Sequence, residues 1–150
     1  MEIALDLPDL AATEALAARL APLLRPGDAV LLDGPLGAGK SAFARALLRA
    51  ATGDAALEVP SPTFTLVQSY DLPAGPAHHF DLYRLSGPDG LAELGWEEAR
   101  EGIVLVEWPE RLGPFAPPEA LRIHLTPGLA DEARHAVLSG WDARLEGLRP

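Results

Sequence analysis

The spacing of apolar and polar residues changes along this chain in a way that predicts alternating strands and helices. Glu2–Leu7 alternates polar and apolar positions and predicts a short strand. Apolar residues then recur at helical spacing over residues 9–24, with Asp9 and Thr13 as the two candidate caps. Pro22 falls inside that segment and indicates an early end or a kink, because proline cannot continue a helix.

A glycine-rich loop lies between the next two predicted elements. Residues 29–33 predict a buried strand, and residues 40–52 predict a helix that ends at Gly53. Residues 34–41 read Gly-Pro-Leu-Gly-Ala-Gly-Lys-Ser and match the pattern G-x-x-x-x-G-K-[ST]. A strand before the loop and a helix after it are the context in which this pattern wraps backbone N–H groups around nucleotide phosphates.

Lys40 is the only lysine among the 12 lysine and arginine residues of the chain. Its ammonium group is a compact charge that suits the outer phosphates better than the planar fork of arginine. The glycines of the loop let the backbone approach phosphate oxygens without a Cβ in the way. The hydroxyl of Ser41 is then a candidate magnesium ligand.

The second half of the chain predicts further strands arranged around a hairpin. Residues 64–70 and 78–82 predict two strands, and the Pro- and Gly-containing segment 72–77 between them predicts an antiparallel hairpin. The remaining predicted elements are two short helical segments and three strands, at 88–94 and 97–100, and at 103–106, 121–125 and 135–138. The chain is therefore expected to be a single α/β domain, residues 1–150, with a mixed sheet.

Composition narrows the class of partners. The net charge is −10 and the isoelectric point is near 4.7, which disfavours direct binding of bare nucleic acid. There is no cysteine, so disulfides and thiolate chemistry are excluded. The longest stretch without Asp, Glu, Lys or Arg covers residues 59–70, shorter than the roughly 18 residues of a membrane span. We expect a soluble cytoplasmic domain without a membrane partner.

Magnesium at the loop would need a carboxylate, because this ion prefers oxygen ligands in octahedral geometry. Glu107 follows the apolar strand 103–106, the position that a metal-holding acid usually takes in P-loop proteins. Asp81 is a second candidate, and the sequence leaves open which acid holds metal and which orients water. Asp33 is more often a turn residue in this position, and we assign it no role.

Two further features bear on the ligand. The chain has no asparagine and no second lysine, so it lacks the Asn-Lys-x-Asp segment with which GTPases recognise guanine, and adenine is the default base. The four histidines are not spaced like metal ligands. Trp108 adjoins Glu107 and is the one tryptophan that deserves a test for a role at the nucleotide.

Four segments together resemble one protein family. They are the loop 34–41, Ser-Pro-Thr-Phe-Thr-Leu-Val at 61–67, His-Phe-Asp-Leu-Tyr-Arg-Leu at 79–85, and Leu-Val-Glu-Trp-Pro at 105–109. In this order and spacing they resemble the TsaE (YjeE) ATPases of bacterial tRNA threonylcarbamoyladenosine synthesis. The resemblance covers residues 8–134 and implies a P-loop NTPase-like three-layer domain that binds ATP and Mg²⁺. It also implies TsaD and TsaB as partners, and contact with tRNA only through their complex.

The resemblance implies roles for individual residues. The implied magnesium ligands are Ser41 and Glu107, and Lys40, Asp81 and Glu107 are implied in catalysis. Phosphate and nucleotide contacts fall on Gly37, Ala38, Gly39, Lys40, Ser41, Ala42 and Arg134. Switch-like residues fall on Ser61, Thr63, Asp81, Tyr83, Arg84 and Trp108. Of these, the Ser-Pro-Thr segment with Thr63 is expected to sense the γ-phosphate.

The chain departs from the family pattern at two positions. Ser41 replaces the common threonine and keeps the hydroxyl group, whereas Pro35 stands where the family usually has aspartate. We expect slow ATP hydrolysis by the chain alone, because the sequence places no obvious arginine finger and a partner would complete the site. A small-molecule kinase and a nucleotide-gated binding module without turnover are the two alternatives.

Overall fold

The computed structural model describes residues 2–148, and one seven-stranded mixed sheet runs through them. Its strands are β1 (Glu2–Leu7), β2 (Ala29–Asp33), β3 (Val67–Leu72), β4 (Gly75–Asp81), β5 (Ile103–Glu107), β6 (Leu121–Pro127) and β7 (Arg134–Ser139). Their order across the sheet is β1-β7-β6-β2-β5-β4-β3. The neighbours from β6 through β2 and β5 to β4 pair in parallel, and antiparallel strands flank them on both sides.

Both faces of the sheet are covered, which explains why the central strands are apolar at successive positions. In β2, Val30 and Leu32 face one core while Leu31 faces the other. The first core lies under the two longer helices, α1 (Leu10–Leu20) and α2 (Lys40–Thr52). The second lies under short helical turns and the four-residue α3 (Trp96–Ala99). The expected three-layer α/β class is therefore confirmed, with one layer thinner than the other.

The amino-terminal elements follow the sequence closely. Asp9 is the cap of α1, because its Oδ1 accepts a hydrogen bond from the backbone N–H of Ala12 at 2.8 Å. Thr13 is instead buried inside the helix. The helix ends at Leu20 and passes into a 3-10 turn at Ala21–Leu23 that contains Pro22, so the predicted early end is confirmed.

The hairpin is confirmed, but its predicted boundaries are wrong. Strand β3 begins at Val67 rather than at residue 64, because the preceding residues turn back and Leu66 takes a left-handed backbone with φ 69°. Strands β3 and β4 pair from Val67 with Phe80 to Leu72 with Gly75, so only two residues connect them. Pairing thus extends through most of the segment expected to be a loop.

The other late elements match the prediction in kind. Strand β5 includes Glu107, and strands β6 and β7 form an antiparallel pair longer than predicted. Two 3-10 segments, Pro109–Phe115 and Asp142–Leu148, were not predicted from the sequence. Both lack a regular apolar period, and the first contains a Gly-Pro kink. Across residues 2–148, none of the helices combines the length and the apolar character needed to cross a membrane.

Candidate functional site

The four parallel strands end at one edge of the sheet, where the glycine loop begins. In open α/β sheets this edge is where ligands bind. The pairings of Leu32 with Glu107 and of Asp81 with Glu107 place the ends of β2, β4 and β5 side by side. Because side chains alternate along strands, Asp81 and Glu107 face the same side of the sheet as the start of α2.

The glycine loop fits tightly at two points. Gly34 has φ +146°, and a Cβ there would lie 2.2 Å from the backbone oxygen of Leu125 in β6. Gly39 has φ +97° and caps the start of α2, where a Cβ would lie 2.5 Å from Nε of Arg134. Only glycine meets both demands, so the loop can lie against β6 and present its backbone N–H groups at the helix start.

Lys40 is buried and folds back onto its own loop. Its Nζ donates to the carbonyl oxygens of Gly34 at 2.6 Å and Pro35 at 2.9 Å. The same Nζ lies 3.9 Å from the centroid of the Trp108 ring, a cation–π contact. Trp108 adopts a left-handed backbone with φ 60°, rare for a bulky residue, and this conformation places its ring over the lysine.

Burial lowers the pKa of Lys40 from its ordinary value of 10.5, because the ammonium loses contact with water. Nearby carboxylates oppose this shift, in decreasing order Glu107, Glu110, Asp33 and Asp81. The lysine is therefore a partly desolvated cation among acids, a position in which the negative charge of a phosphate would favour its protonated form.

Glu107 is the centre of a buried hydrogen-bonded group. Ser41 Oγ donates to Oε1 of Glu107 at 2.8 Å, and Nε2 of His79 lies 2.6 Å from Oε2. The Glu107 residue is 2 % exposed and His79 is 1 % exposed. The fold thus brings together the two proposed metal ligands, Ser41 and Glu107. They lie in the first and the last of the four segments that carry the family resemblance.

Asp81 connects the strand edge to the switch-like segments. Its Oδ2 accepts a hydrogen bond from Thr63 Oγ1 at 3.3 Å, and its Oδ1 accepts one from the backbone N–H of Tyr83 at 3.0 Å. Ser61 and Thr63 share a hydroxyl hydrogen bond of 2.9 Å. A movement of the Ser61–Thr63 segment would therefore change the hydrogen bond that Asp81 accepts from Thr63.

One cavity of about 480 Å³ contains nearly every residue proposed for the site. Its lining residues are Leu36, Gly37, Ala38, Gly39, Lys40, Ser41, Ala42, Ser61, Thr63, Asp81, Tyr83, Glu107, Trp108 and Arg134. Arg134, at the start of β7, lies against Gly39 and donates to the carbonyl oxygens of Asp131 and Ala133. The volume lies within the range of small-ligand pockets.

Arg84 is the one proposed site residue that does not line this cavity. Its guanidinium lies 5.0 Å from the ring centroid of Phe64, a side chain that is 82 % exposed. Tyr83, beside it, packs its ring 4.8 Å from that of Trp108. Arg84 therefore belongs to the outer surface of the switch-like segments.

Two residues of the site were missed by sequence reasoning. His79 was considered only as a metal ligand, and its contact with Glu107 was not foreseen. The available signal was the strand period, which places His79 and Asp81 on one face of β4. Leu36 lines the cavity although it is 75 % exposed, and no sequence feature distinguishes it from the other variable positions of the loop.

The oxygen donors fit magnesium. The Ser41 hydroxyl and the Glu107 carboxylate lie 2.8 Å apart beside the glycine loop, and both are hard oxygen ligands. Magnesium bound with a nucleotide usually takes only one or two ligands from the protein and the others from phosphate oxygens and water. The Ser41–Glu107 pair matches that protein contribution. Among residues 2–148, no group of three or more His, Asp or Glu side chains is arranged to hold a metal without such a ligand.

A parallel sheet core, a glycine loop entering a helix, and a lysine, a hydroxyl and an acid at the strand ends define a protein of the P-loop class. Within that class, a family model described as threonylcarbamoyl adenosine biosynthesis protein TsaE matches residues 7–136. The chain belongs to the TsaE family.

Individual relatives agree with this assignment. The tRNA threonylcarbamoyladenosine biosynthesis protein TsaE of Rickettsia felis is 41 % identical over 114 residues, which are 75 % of this chain and 66 % of that protein. The chain thus spans slightly less than two thirds of this relative. The protein of the same name from a Nostoc species is 36 % identical over 149 residues, 95 % of this chain and 88 % of its own. The crystal structure of Bacillus subtilis YdiB superposes with a TM-score of 0.76 at 26 % identity, covering 99 % of this chain and 94 % of that one.

Proposed function

We propose that this chain binds ATP with Mg²⁺ and hydrolyses it slowly, in support of threonylcarbamoyl transfer to the adenosine next to the anticodon of tRNA. The observation that carries the proposal is the single cavity in which Lys40, the Ser41–Glu107 pair and Asp81 meet. Membership of the TsaE family supports the tRNA-modification pathway. In this proposal the TsaD–TsaB complex carries out the threonylcarbamoyl transfer, and the chain acts on that complex.

The chemistry required of the chain is positioning and charge stabilisation. The loop N–H groups and the start of α2 would hold the phosphates, and Lys40 would exchange its bonds to the loop carbonyls for bonds to phosphate oxygens. Ser41 and Glu107 would hold magnesium, which neutralises developing charge on the phosphates when bound. Asp81, placed between Thr63 and Tyr83, would orient the attacking water.

Slow turnover by the isolated chain follows from the shortage of cations in the cavity. Among the described residues that line it, Lys40 and Arg134 are the basic ones, and Arg134 is engaged by carbonyls of its own hairpin. An additional cation, of the kind that accelerates phosphoryl transfer in related enzymes, would have to come from a partner. The acidic chain, with net charge −10, would meet tRNA only through that partner.

The first test is calorimetric titration of the folded chain with ATP, ADP and GTP, with and without Mg²⁺. We expect adenine nucleotides to bind with magnesium-dependent affinity and GTP to bind more weakly. Absence of heat with both adenine nucleotides would overturn the proposal. Phosphate release should then be slow for the chain alone and faster when TsaD and TsaB are added.

The variant Asp81→Asn separates an ATPase from a nucleotide-gated binding module. It keeps the side chain's size and its acceptor oxygen for Thr63 or Tyr83. We expect nucleotide binding and assembly with TsaD and TsaB to persist, while phosphate release and repeated tRNA modification fall. Full tRNA modification without phosphate release would favour the binding module. Transfer of the γ-phosphate to a metabolite, measured with labelled ATP, would favour a kinase.

A further inference from the structure

His79 is a buried side chain to which the proposed function assigns no task. Its Nε2 lies 2.6 Å from Oε2 of Glu107, and the residue is 1 % exposed. The other ring nitrogen, Nδ1, has no hydrogen-bond partner within residues 2–148. A side chain that fills space alone would not need a ring nitrogen aimed at a carboxylate at this short distance.

The partner of Nε2 identifies one ring nitrogen of His79 that carries a hydrogen. A carboxylate accepts hydrogen bonds, so a hydrogen of His79 lies on Nε2 and points at Glu107. His79 is therefore the donor in this contact, and it holds the carboxylate from the neighbouring strand β4.

The two oxygens of Glu107 consequently have different tasks. His79 holds Oε2 from β4, while Oε1 faces the hydroxyl of Ser41 at the start of α2. With Oε2 fixed, rotation of the carboxylate about its last bond would break the bond to His79. Oε1 is thereby kept directed toward Ser41, on the side where the metal ligands would converge.

We propose that His79 is a positioning residue that orients Glu107 for the divalent metal of the nucleotide complex. The inference rests on the proposed function, because it concerns the metal that the Ser41–Glu107 pair would bind. It adds the reason why a buried histidine stands two residues before Asp81 on the same face of β4. Outer partners of this kind typically change metal affinity by 10- to 100-fold.

The test measures Mn²⁺ binding to the chain saturated with ADP, with free Mn²⁺ followed by electron paramagnetic resonance. His79→Leu removes the donor and keeps an apolar side chain, whereas His79→Gln keeps an N–H donor near the position of Nε2. We expect the Leu variant to bind Mn²⁺ about 10- to 100-fold more weakly and the Gln variant to stay within a few-fold of the wild type. ADP binding in EDTA should stay unchanged in both variants.

His78→Leu is the matched control. His78 precedes His79 on β4, but its Nδ1 is bonded to Ser69 of the hairpin at 2.8 Å, outside the cavity. It should leave Mn²⁺ affinity unchanged. Wild-type Mn²⁺ affinity in the Leu variant of His79 would overturn the inference while leaving the proposed function intact. Failure of the wild type to bind Mn²⁺ with ADP would overturn the proposed function itself.

A measurement on the wild type guards against a Leu variant that does not fold. In ¹⁵N-histidine NMR spectra, the signals that disappear in the Gln variant identify His79. They should show a hydrogen on Nε2, before and after addition of Mg²⁺ and ADP. A hydrogen on Nδ1 alone would contradict the inference, as would equal loss of Mn²⁺ affinity in the Gln and Leu variants.

Discussion

The two halves of the proposed nucleotide site are built in different ways. The phosphate side is one continuous segment, residues 34–42, and its contacts come from backbone groups and one lysine. The metal side is assembled from α2, β4 and β5, and its contacts are side chain to side chain between residues as far apart as Ser41 and Glu107. A site built from one continuous segment can be recognised in the sequence. A site built from residues on separate elements depends on the register of the strands, which the sequence does not show directly.

The two halves also differ in how they tolerate change. The phosphate side relies on the space left by missing side chains, so an added methyl group is the damaging event. The metal side relies on a buried carboxylate with each oxygen engaged, so a lost partner is the damaging event. Lys40 belongs to both, because in the proposed function its charge would bind the phosphates, and it also interacts with Glu107.

The largest expected effect is that of Lys40→Met, which removes the charge shared by the two halves. We expect ATP and ADP affinity to fall by about 2–5 kcal/mol, as for truncation of one partner of a buried charged contact. Lys40→Arg is the matched variant, because it keeps the charge and changes its shape. If calorimetry shows the Arg variant binding as tightly as the wild type, charge alone suffices and the buried geometry described above is irrelevant.

Gly34→Ala should damage the phosphate side through the fold. Its Cβ would lie 2.2 Å from the Leu125 oxygen at a backbone angle of φ +146°. The strained backbone alone should lower the free energy of unfolding by about 1–3 kcal/mol, and the contact with β6 should add to that.

Gly37→Ala is the control for Gly34→Ala. Gly37 has φ +80°, but no heavy atom lies within 4 Å of an added Cβ. Its cost should be only that of placing an L-residue in a left-handed backbone, about 1–2 kcal/mol. Urea denaturation gives both values. Equal losses in the two variants would show that the contact with β6 does not matter.

The phosphate side and most of the fold could be predicted from the sequence for one physical reason. The features that were predicted are all local patterns: a loop motif, a helix stop at Gly53 and an apolar run before an acid. Such patterns can be recognised without knowing the fold. The confirmed elements β1, β2 and α2 are of this kind. The family resemblance added the specific segments around Thr63 and Asp81.

The rest required the register of the sheet. That His79 meets Glu107 depends on β4 and β5 being parallel neighbours, with Asp81 opposite Glu107. No single-segment pattern contains that pairing. The start of β3 was wrong by three residues because Leu66 takes a left-handed conformation, which apolar composition does not indicate. The contact of Trp108 with Lys40 likewise depends on an uncommon backbone angle.

Arg134→Ala should have a smaller effect, because Arg134 supports the phosphate side from outside. Its guanidinium lies against Gly39 and is only partly buried. We expect nucleotide affinity to fall by about 1 kcal/mol, the upper part of the range for exposed charged contacts. Arg122→Ala makes the same change of charge at an exposed residue of β6 that does not line the cavity, and it should bind nucleotide normally. Equal losses in both variants would mean that only net charge is involved.

The smallest expected effect is the contribution of His78 to the pH dependence of stability. His78 is next to His79 on β4, but only His79 faces the site. Burial lowers the pKa of His78 below its ordinary value of 6.5. As the pH falls through 6.5, the unfolded chain takes up this proton before the folded chain does. The free energy of unfolding should therefore decrease between pH 6.5 and the lower folded-state pKa, and level off below it. Because His78 is partly exposed, we expect only about a few tenths of a kcal/mol.

His78→Gln isolates this contribution, because glutamine keeps a hydrogen-bonding side chain opposite Ser69 and does not titrate. The wild type and the variant are compared by urea denaturation at several pH values on both sides of 6.5. The difference between their unfolding free energies should change in this window and stay constant above it. A difference that instead grows in favour of the wild type as the pH falls would reverse the sign of the linkage. In that case folding would stabilise the protonated imidazole of His78 through a partner. His78 would then not be a side chain whose pKa is set mainly by burial.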